Sequence, residues 1–293
     1  MADNVYIGSQ RGNKFKADVV GGVAILGVKL VIGADNTDGG YIDAVGSKMF
    51  VVDAGYFNQI REGNVSGHDF ISLRGHCHSV DTADQELSAL GTAGFGNWPS
   101  AAAGAVLVST DVADDGDPVG TGARTVIVRG LDSSWVEKTE TVTMNGTTPT
   151  AATTQTFLRI NELEVITAGT SLTNEGDITA SISGTDIIKI YAIHTTSDAG
   201  RYSVPAGRAL YLQNPEGSSV GNQENTYHIF ARDAGVANSP FKLKASWHSK
   251  DGGYRPNGIL PGFPEKTDVM FITHAEIIGA IVSASAIGWV EDV

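Results

Sequence analysis

Thr125-Val-Ile-Val-Arg129 is a run of β-branched residues followed by Gly130, and Thr139-Glu-Thr-Val-Thr-Met144 alternates polar and apolar side chains. Apolar residues at every second position predict a strand with one buried face, whereas a helix repeats them about every 3.6 residues. Asn145-Gly146 closes the second run, and both positions tolerate the positive φ of a type I′ hairpin turn. These segments predict an all-β protein.

The same period continues to the C-terminus, in segments bounded by Gly, Pro, Asn or Asp. These segments are Phe157–Ile166, Asp177–Ile182, Asp186–Ile193, Tyr227–Ala231, Phe241–Trp247, Asp268–Thr273 and Ile277–Val290. Strands at this spacing, separated by turn residues, are typical of a sandwich or barrel. We therefore expect a jelly-roll-like β-sandwich over residues 70–293, with one short helix over Asp81–Leu90 that a polar residue caps.

Residues 1–69 have a different pattern. Val23-Ala-Ile-Leu-Gly-Val-Lys-Leu-Val-Ile32 is apolar and extended, and Asp35-Asn-Thr-Asp-Gly-Gly40 is a turn-rich break before Met49-Phe-Val-Val52. These short apolar runs are too few to enclose a core of their own. The sequence therefore predicts an extended N-terminal arm, a segment that adds strands to neighbouring sheets.

Composition and charge exclude several classes of protein. The 293 residues contain 20 Lys and Arg against 33 Asp and Glu, so the formal net charge is −13, and most of the acidic excess lies between residues 69 and 213. An acidic surface repels phosphate backbones, so nucleic acid is not an expected partner. No apolar run approaches the ~18 residues of a membrane helix, and the first residues carry no basic and apolar signal, so neither a membrane nor a secretory signal is expected. The single cysteine, Cys77, cannot form an internal disulfide.

His76-Cys77-His78 is the cluster that most suggests a metal. On a strand, His76 and His78 share one face, and two imidazoles could bind zinc. A tetrahedral site needs two more ligands, and only Asp81 or His68 is near in sequence. The alternative, which we favour, is a pair of partly exposed strand histidines around a small buried cysteine.

Asp111-Val-Ala-Asp-Asp-Gly-Asp117 places four carboxylates around a glycine, and hard oxygen ligands on a tight loop suit calcium. The spacing does not match an EF-hand, so an acidic loop between strands is the favoured interpretation. The sequence contains no lipase-like G-x-S-x-G, phosphate loop, H-E-x-x-H or C-x-x-C motif. Gly120-Thr-Gly122 lacks the third glycine of a dinucleotide fingerprint, and a strand follows it instead of a helix.

Sugar binding is the remaining chemical hypothesis. Trp98, beside Pro99 on a Gly-rich loop, and Trp135, near Asp132, could serve as platforms for a glycan, although core filling is the commoner role of such rings. Two pairs of carboxylates, Glu137 with Glu140 and Glu162 with Glu164, lie in alternating strands. Their polar faces are expected to meet water, so a glycosidase pair is not favoured.

Several stretches together resemble a family of virion structural proteins of tailed bacteriophages. The stretches are Lys29–Gly40, Gly75–Thr82, Gly120–Asp132, Glu140–Thr148, Phe157–Asn161, Ala168–Gly169, Asn174–Thr179, Tyr202–Gly207 and Phe263–Asp268. They are turn and strand motifs without reactive groups. The resemblance implies an all-β particle component, with no catalytic residue, no metal and no cofactor.

From this resemblance and the arm, we expect a non-enzymatic capsid decoration or cement protein on the virion surface, made in the host cytoplasm. Its partners would be the major capsid protein and further copies of itself, as a homotrimer. The alternative is a tail or head-fibre module that binds a host glycan. The residues expected to contact the capsid are Val28, Leu30, Ile32, Asp35, Gly40, Met49, Phe50 and Val52.

Overall fold

The computed structural model describes residues 54–116, 118–220, 224–250 and 260–293, together with the backbone of six short N-terminal strands. The chain divides into two compact units, Met1–Asp69 and Phe70–Val293, and the second is called the body below. The N-terminal strands are β1 (Tyr6–Gly8), β2 (Lys14–Lys16), β3 (Val19–Val20), β4 (Val23–Ala24), β5 (Val28–Val31) and β6 (Gly39–Ile42). A helix, α1, follows at Ala54–Arg61.

The remaining strands follow in chain order. They are β7 (His68–Val80), β8 (Gln85–Glu86), β9 (Ala103–Ser109), β10 (Ala123–Leu131), β11 (Glu137–Thr143), β12 (Thr156–Phe157), β13 (Arg159–Ala168), β14 (Ile178–Ile182), β15 (Thr185–Ile190), β16 (Arg201–Ser203), β17 (Arg208–Ser219), β18 (Glu224–Asp233), β19 (Lys242–Lys250), β20 (Thr267–Ala275) and β21 (Ala280–Asp292). The all-β sandwich predicted from the sequence is confirmed.

The body holds two apolar cores. The first lies between the sheet β16–β20–β18–β19, to which β8 adds on β20, and the sheet β17–β21–β7. Tyr227, Trp247 and Phe271 fill its centre, because alternate residues of β18, β19 and β20 point inward. Two separate parts of the chain, before β9 and after β15, therefore form one sandwich, which we call the outer sandwich.

The second core belongs to the segment inserted between those two parts. Its sheets are β11–β10–β13 and β12–β9–β14–β15, and it is called the inserted sandwich. Val126 and Val128 of β10 and Leu163 of β13 are fully buried in it, as the alternating sequence predicts. The body therefore contains two sandwiches where the sequence analysis expected one.

The N-terminal strands form three antiparallel pairs: β1 with β2, β3 with β4, and β5 with β6. Among the residues that the structure describes, each pair is a two-stranded sheet of its own. In the third pair, Val28 lies opposite Ile42 and Leu30 opposite Gly40. These three pairs are called the N-terminal hairpins.

Two local predictions are wrong. Asp81–Leu90 is not a helix, because Gln85 and Glu86 form β8, whose residues pair with Thr273 and Ile272 of β20. Asn145-Gly146 does not close a hairpin, since the partner of β11 is the preceding strand β10. The turn between β10 and β11 is instead built on Asp132, whose carboxylate accepts hydrogen bonds from the backbone N–H groups of Ser134 and Val136, at 2.8 and 3.1 Å.

Candidate functional site

A buried network of ion pairs joins the two sandwiches. Arg159 of β13 donates from Nε and Nη2 to the two carboxylate oxygens of Asp268 on β20, at 2.9 and 3.0 Å. Asp268 is fully buried, and it also accepts hydrogen bonds from Arg232 Nε at 3.0 Å and from Ser203 Oγ at 2.6 Å. Two guanidinium groups therefore surround one carboxylate, an arrangement that offsets the cost of burying its charge.

The loop that carries Trp98 is attached to the same network. Arg159 Nη1 donates to the carbonyl of Pro99 and Arg201 Nη1 to that of Asn97, both at 2.8 Å. The guanidinium carbons of Arg201, Arg159 and Arg232 lie 4.8, 5.3 and 5.3 Å from the centre of the Trp98 ring. The indole is thus enclosed by cations, which stabilise it through cation–π attraction.

Trp135 has a similar environment. Its side chain is buried, at 7% exposure, and the guanidinium carbon of Arg159 lies 5.1 Å from its ring centre. The structure therefore gives Trp98 and Trp135 a different use from the sugar platform that the sequence suggested. Both rings pack against the arginines of the junction between the two sandwiches.

A cavity of about 440 Å³ opens along β7, β17 and β21, where His194 and Asp198 also line it. The histidines and the charged and hydroxyl groups that line it include Arg74, His76, His194, Asp198, Glu216 and Ser283. These side chains offer hydrogen-bond donors and acceptors around one space. That chemistry suits a polar ligand rich in hydroxyl groups.

The polar groups of this cavity are arranged in separate pairs. His76 Nδ1 lies 2.6 Å from Ser283 Oγ, and His194 Nδ1 lies 3.1 Å from Asp198 Oδ2. The centres of the two imidazole rings are 5.7 Å apart. A serine nucleophile needs a base that a carboxylate orients, and here the carboxylate orients the other histidine. The residues therefore do not assemble a Ser–His–Asp relay.

The environment of His76 disfavours its charged form. Burial lowers the pKa of His76 below its ordinary value of 6.5, and the neighbouring His78 and His194 lower it further, whereas Asp198 opposes the shift. The position of His76 in the cavity lining therefore favours the neutral form of the imidazole.

His78, two residues along β7, stacks on Tyr191, with 3.9 Å between ring centres and 14° between planes. The phenol oxygen of Tyr191 accepts a hydrogen bond from the His78 backbone N–H at 3.1 Å, and burial raises the pKa of Tyr191 to about 12. Cys77, which lies between His76 and His78 in β7, is buried. Burial raises the pKa of its thiol, so the thiolate is disfavoured.

The two further zinc ligands considered for His76 and His78 do not join them. Asp81 Oδ1 accepts a hydrogen bond from the Thr82 N–H at 2.6 Å, and His68 contacts the Tyr56 hydroxyl at 3.2 Å. Among the described residues, one set of three His, Cys, Asp or Glu side chains has ligand atoms within 4.8 Å of one another. That set lies elsewhere in the body. The sequence analysis did not single out that set.

The acidic loop has a structural use. Asp114 is fully buried and accepts hydrogen bonds from Ser109 Oγ and from three backbone N–H groups, at 2.6 to 2.9 Å. Asp111 and Asp115 each accept a backbone N–H within the loop, at 2.8 and 2.7 Å. Asp117 lies outside the described residues. These hydrogen bonds tie the three described carboxylates into the loop and its neighbouring backbone.

The paired glutamates are also engaged. Glu162 and Glu164 of β13 both contact Arg129 Nη1, at 3.0 and 2.7 Å. Glu140 accepts hydrogen bonds from Gln155 and Thr154. Burial is the largest single influence and raises the pKa of Glu140, but the hydrogen bonds together outweigh it and lower the pKa overall. Glu140, Glu162 and Glu164 are therefore each held by specific partners.

The outer strands of the body carry charged residues. β19, at the edge of its sheet, contains Lys242, Lys244 and Lys250. β11, at the edge of another sheet, begins with a charged stretch that contains Glu137, Lys138 and Glu140. Charges on an edge strand oppose pairing with another chain, because a paired edge would desolvate them.

The capsid-contact residues predicted from the sequence fall into two groups. Val28 and Leu30 lie in β5, and Gly40 lies in β6, opposite Leu30. The other five, Ile32, Asp35, Met49, Phe50 and Val52, lie outside the described residues.

The structure adds an apolar tip that the sequence analysis missed. Ile277 and Ile278, in the turn between β20 and β21, are 59% and 70% exposed. Val220 and Ile281 are exposed beside them, and the Val220 N–H donates to the Ile281 carbonyl at 3.0 Å. Two consecutive isoleucines in a turn are the signal that could have shown this surface, because turns are ordinarily polar.

Comparisons with known proteins give little. No family model and no curated protein matches this chain. A solved structure with weak similarity is the crystal structure of the infectious bursal disease virus VP2 subviral particle. It is 11% identical, with 78% of this chain and 82% of that chain covered, at a TM-score of 0.13. At that TM-score, the similarity carries no argument about fold or function.

In the part of the chain that the structure describes, no helix has the length and apolar character to cross a bilayer.

Proposed function

We propose that this protein is a virion structural protein of the capsid decoration or cement type, which binds the outer face of a tailed-phage head. Its partners are the major capsid protein and further copies of itself, as a homotrimer. The proposal rests on the resemblance of its strand and turn motifs to phage particle proteins and on the all-β architecture. It is a non-enzymatic function, localised to the virion surface.

The observation that carries the proposal is the pairing of β5 with β6. They form a two-stranded sheet among the described residues, so the outer edge of each strand offers N–H and C=O groups for a further strand. An isolated two-stranded hairpin is at best marginally stable in water, and a third strand stabilises it. A capsid lattice that supplies this strand would bind the hairpin through main-chain hydrogen bonds.

Proline substitutions in β5 test this mechanism. Successive N–H groups of a strand point to opposite edges, so Lys29→Pro and Leu30→Pro remove donors from opposite edges of β5. One variant disrupts the hairpin and the other blocks strand addition, so both lose binding to heads assembled without this protein. The matched control is Lys29→Ala, which keeps the backbone donor and is expected to bind as the wild type does.

Sedimentation of heads with the labelled protein measures this binding. Normal binding by both proline variants would refute strand addition through β5. Equal loss in Lys29→Ala would show that the side chain, and not the main chain, is recognised. The number of copies per virion tests the location separately: hundreds indicate shell decoration, whereas a handful indicates a tail, portal or vertex position.

The apolar tip is the surface that we assign to contact between copies. Ile277, Ile278, Ile281 and Val220 are β-branched and exposed together, and burying them in a trimer removes apolar area from water. Mass photometry is expected to find three times the 30.6 kDa chain mass for the wild type and a monomer for Ile278→Glu. A wild-type monomer at micromolar concentration would contradict the trimer.

The cavity beside His76 supports a second candidate function, binding of a host glycan by a fibre module. Its lining supplies Arg74, Glu216 and Ser218 as groups that hydrogen bond to hydroxyls. A glycan array is the test, with Arg74→Ala as the variant that should lose the signal. No binding by the wild type ends this alternative.

A further inference from the structure

Three adjacent strands of the outer sandwich bring two histidines and an aspartate together. His274 of β20 lies opposite Thr226 of β18, and His228 is two residues further along β18, so both imidazoles are on the same face of the sheet. On the other side of β20, Gln85 pairs with Thr273, and one more step of that register places Asp84 opposite His274.

The side chains converge as this register requires. One ligand atom from each of Asp84, His228 and His274 lies within 4.8 Å of the other two. His274 Nδ1 is 2.8 Å from Asp84 Oδ1, and the ring centres of His228 and His274 are 6.0 Å apart. The set lies on the outward face of the sheet, since Tyr227 and Phe271 point to the core on the opposite face.

An ion pair alone accounts for only part of this arrangement. The contact between His274 and Asp84 resembles the one between His194 and Asp198, at 3.1 Å, and needs no metal. His228 is the unexplained member, because its Nδ1 atom is buried and has no hydrogen-bond partner. Buried polar nitrogens are ordinarily satisfied, and a missing partner calls for an explanation such as an ion.

We propose that Asp84, His228 and His274 form a binding site for one divalent transition-metal ion of the Zn²⁺ type. Two imidazole nitrogens and one carboxylate oxygen are ligands that Zn²⁺ prefers, and the fourth position is left to water. The ion would connect the segment before β8 to β18 and β20, and so fasten the loop that leads to Trp98 onto the outer sandwich. This inference is independent of the proposed function.

Metal titration of the full chain tests the site. Calorimetry with Zn²⁺ and the visible absorption of Co²⁺ are expected to report one bound ion per chain, after the protein has been stripped with a chelator. Binding to the folded state alone raises the thermal midpoint as free Zn²⁺ increases. His228→Ala and Asp84→Asn should each weaken binding by at least about tenfold, in line with the loss expected when a metal's supporting groups are removed.

The matched control is His248→Ala. His248 lies on β19, opposite Thr226 of β18 and on the same face of the sheet. Its Nδ1 atom is 2.8 Å from Thr226 Oγ1, and His248 does not belong to the set of three side chains. The His248→Ala variant should bind Zn²⁺ as the wild type does. Far-UV circular dichroism and the metal-free midpoint verify that each variant is folded. Absence of stoichiometric binding, wild-type affinity in folded His228→Ala, or an equal loss in His248→Ala would each overturn the assignment.

Discussion

The N-terminal hairpins and the body end their sheets in opposite ways. In the body, the edge strands β11 and β19 carry charged residues, and each sheet also has a second layer packed against it across an apolar core. In the hairpins, each two-stranded sheet has both outer edges open among the described residues, and β5 has the sequence Val-Lys-Leu-Val. The charges of β11 and β19 oppose strand addition at those two edges, whereas the open edges of β5 and β6 leave main-chain groups for a further strand.

This difference separates stability from binding. The body gains its stability from two buried cores and the Asp268 network between them, so it should fold without help. A two-stranded hairpin has little stability by itself and is stabilised most when a third strand pairs with it. Changes to the hairpins should therefore alter binding, and changes to the body should alter stability.

The largest expected effect is from deletion of residues 1–53, which end just before α1. We expect the deleted protein to lose head binding entirely, because every N-terminal hairpin is removed. Its urea unfolding transition, followed by tryptophan fluorescence, should match that of the full chain, because all four tryptophans lie in the body. A deleted protein that decorates heads normally would show that the N-terminal segment is not the binding element.

The next largest effect is expected from Asp268→Ala in the body. The substitution leaves Arg159, whose side chain is 7% exposed, without its carboxylate partner. Removing one partner of a buried ion pair typically costs about 3–5 kcal/mol of unfolding free energy. Urea denaturation measures the loss, and Glu265→Ala, which removes an exposed carboxylate nearby in sequence, is the control.

The folded fraction of Asp268→Ala should still bind heads, if stability and binding are separate. A loss of binding greater than the loss of folded protein would instead place part of the head contact on the body.

A smaller effect is expected from pH. Because burial and two neighbouring histidines lower the pKa of His76 in the folded state, the unfolded chain binds more protons just below pH 6.5. The contribution of His76 to the free energy of unfolding is therefore complete above pH 6.5. It is lost as the pH falls from 6.5 through the lowered pKa of His76 in the folded state. Denaturation at a series of pH values should show that the free energy of unfolding decreases less steeply with falling pH in His76→Gln than in the wild type. Equal slopes would contradict the assigned role of His76.

The sequence predicted many of the strands of the body, but it missed β9 and β17 and did not show how the strands combine. The apolar period marks β10 directly, since that strand buries alternate side chains over most of its length, whereas β20 is buried along nearly its whole length. The same turn residues separate strands within a sandwich and between sandwiches. Nothing local distinguishes the inserted sandwich from the outer one, and the expected single sandwich was the simplest interpretation.

The candidate sites show the same limit. Arg159 and Asp268 are 109 residues apart, and Asp84 and His274 are 190 apart, so no spacing in the sequence connects them. The error at Asp81–Leu90 has a related cause. The polar residues that resemble a helix cap are used to pair β8 with β20 and to place Glu86 against Arg201. Tertiary pairing there outweighs local propensity.

Hydrogen–deuterium exchange of the protein, free and bound to heads, tests the central claim most directly. We expect the β5 and β6 amides to exchange fast in the free protein and to be strongly protected on the head, because new main-chain hydrogen bonds form there. The amides of β18, in the centre of the outer sandwich, should be protected in both states. Amides of β5 and β6 that exchange at the same rate in the free and the bound protein would contradict the account.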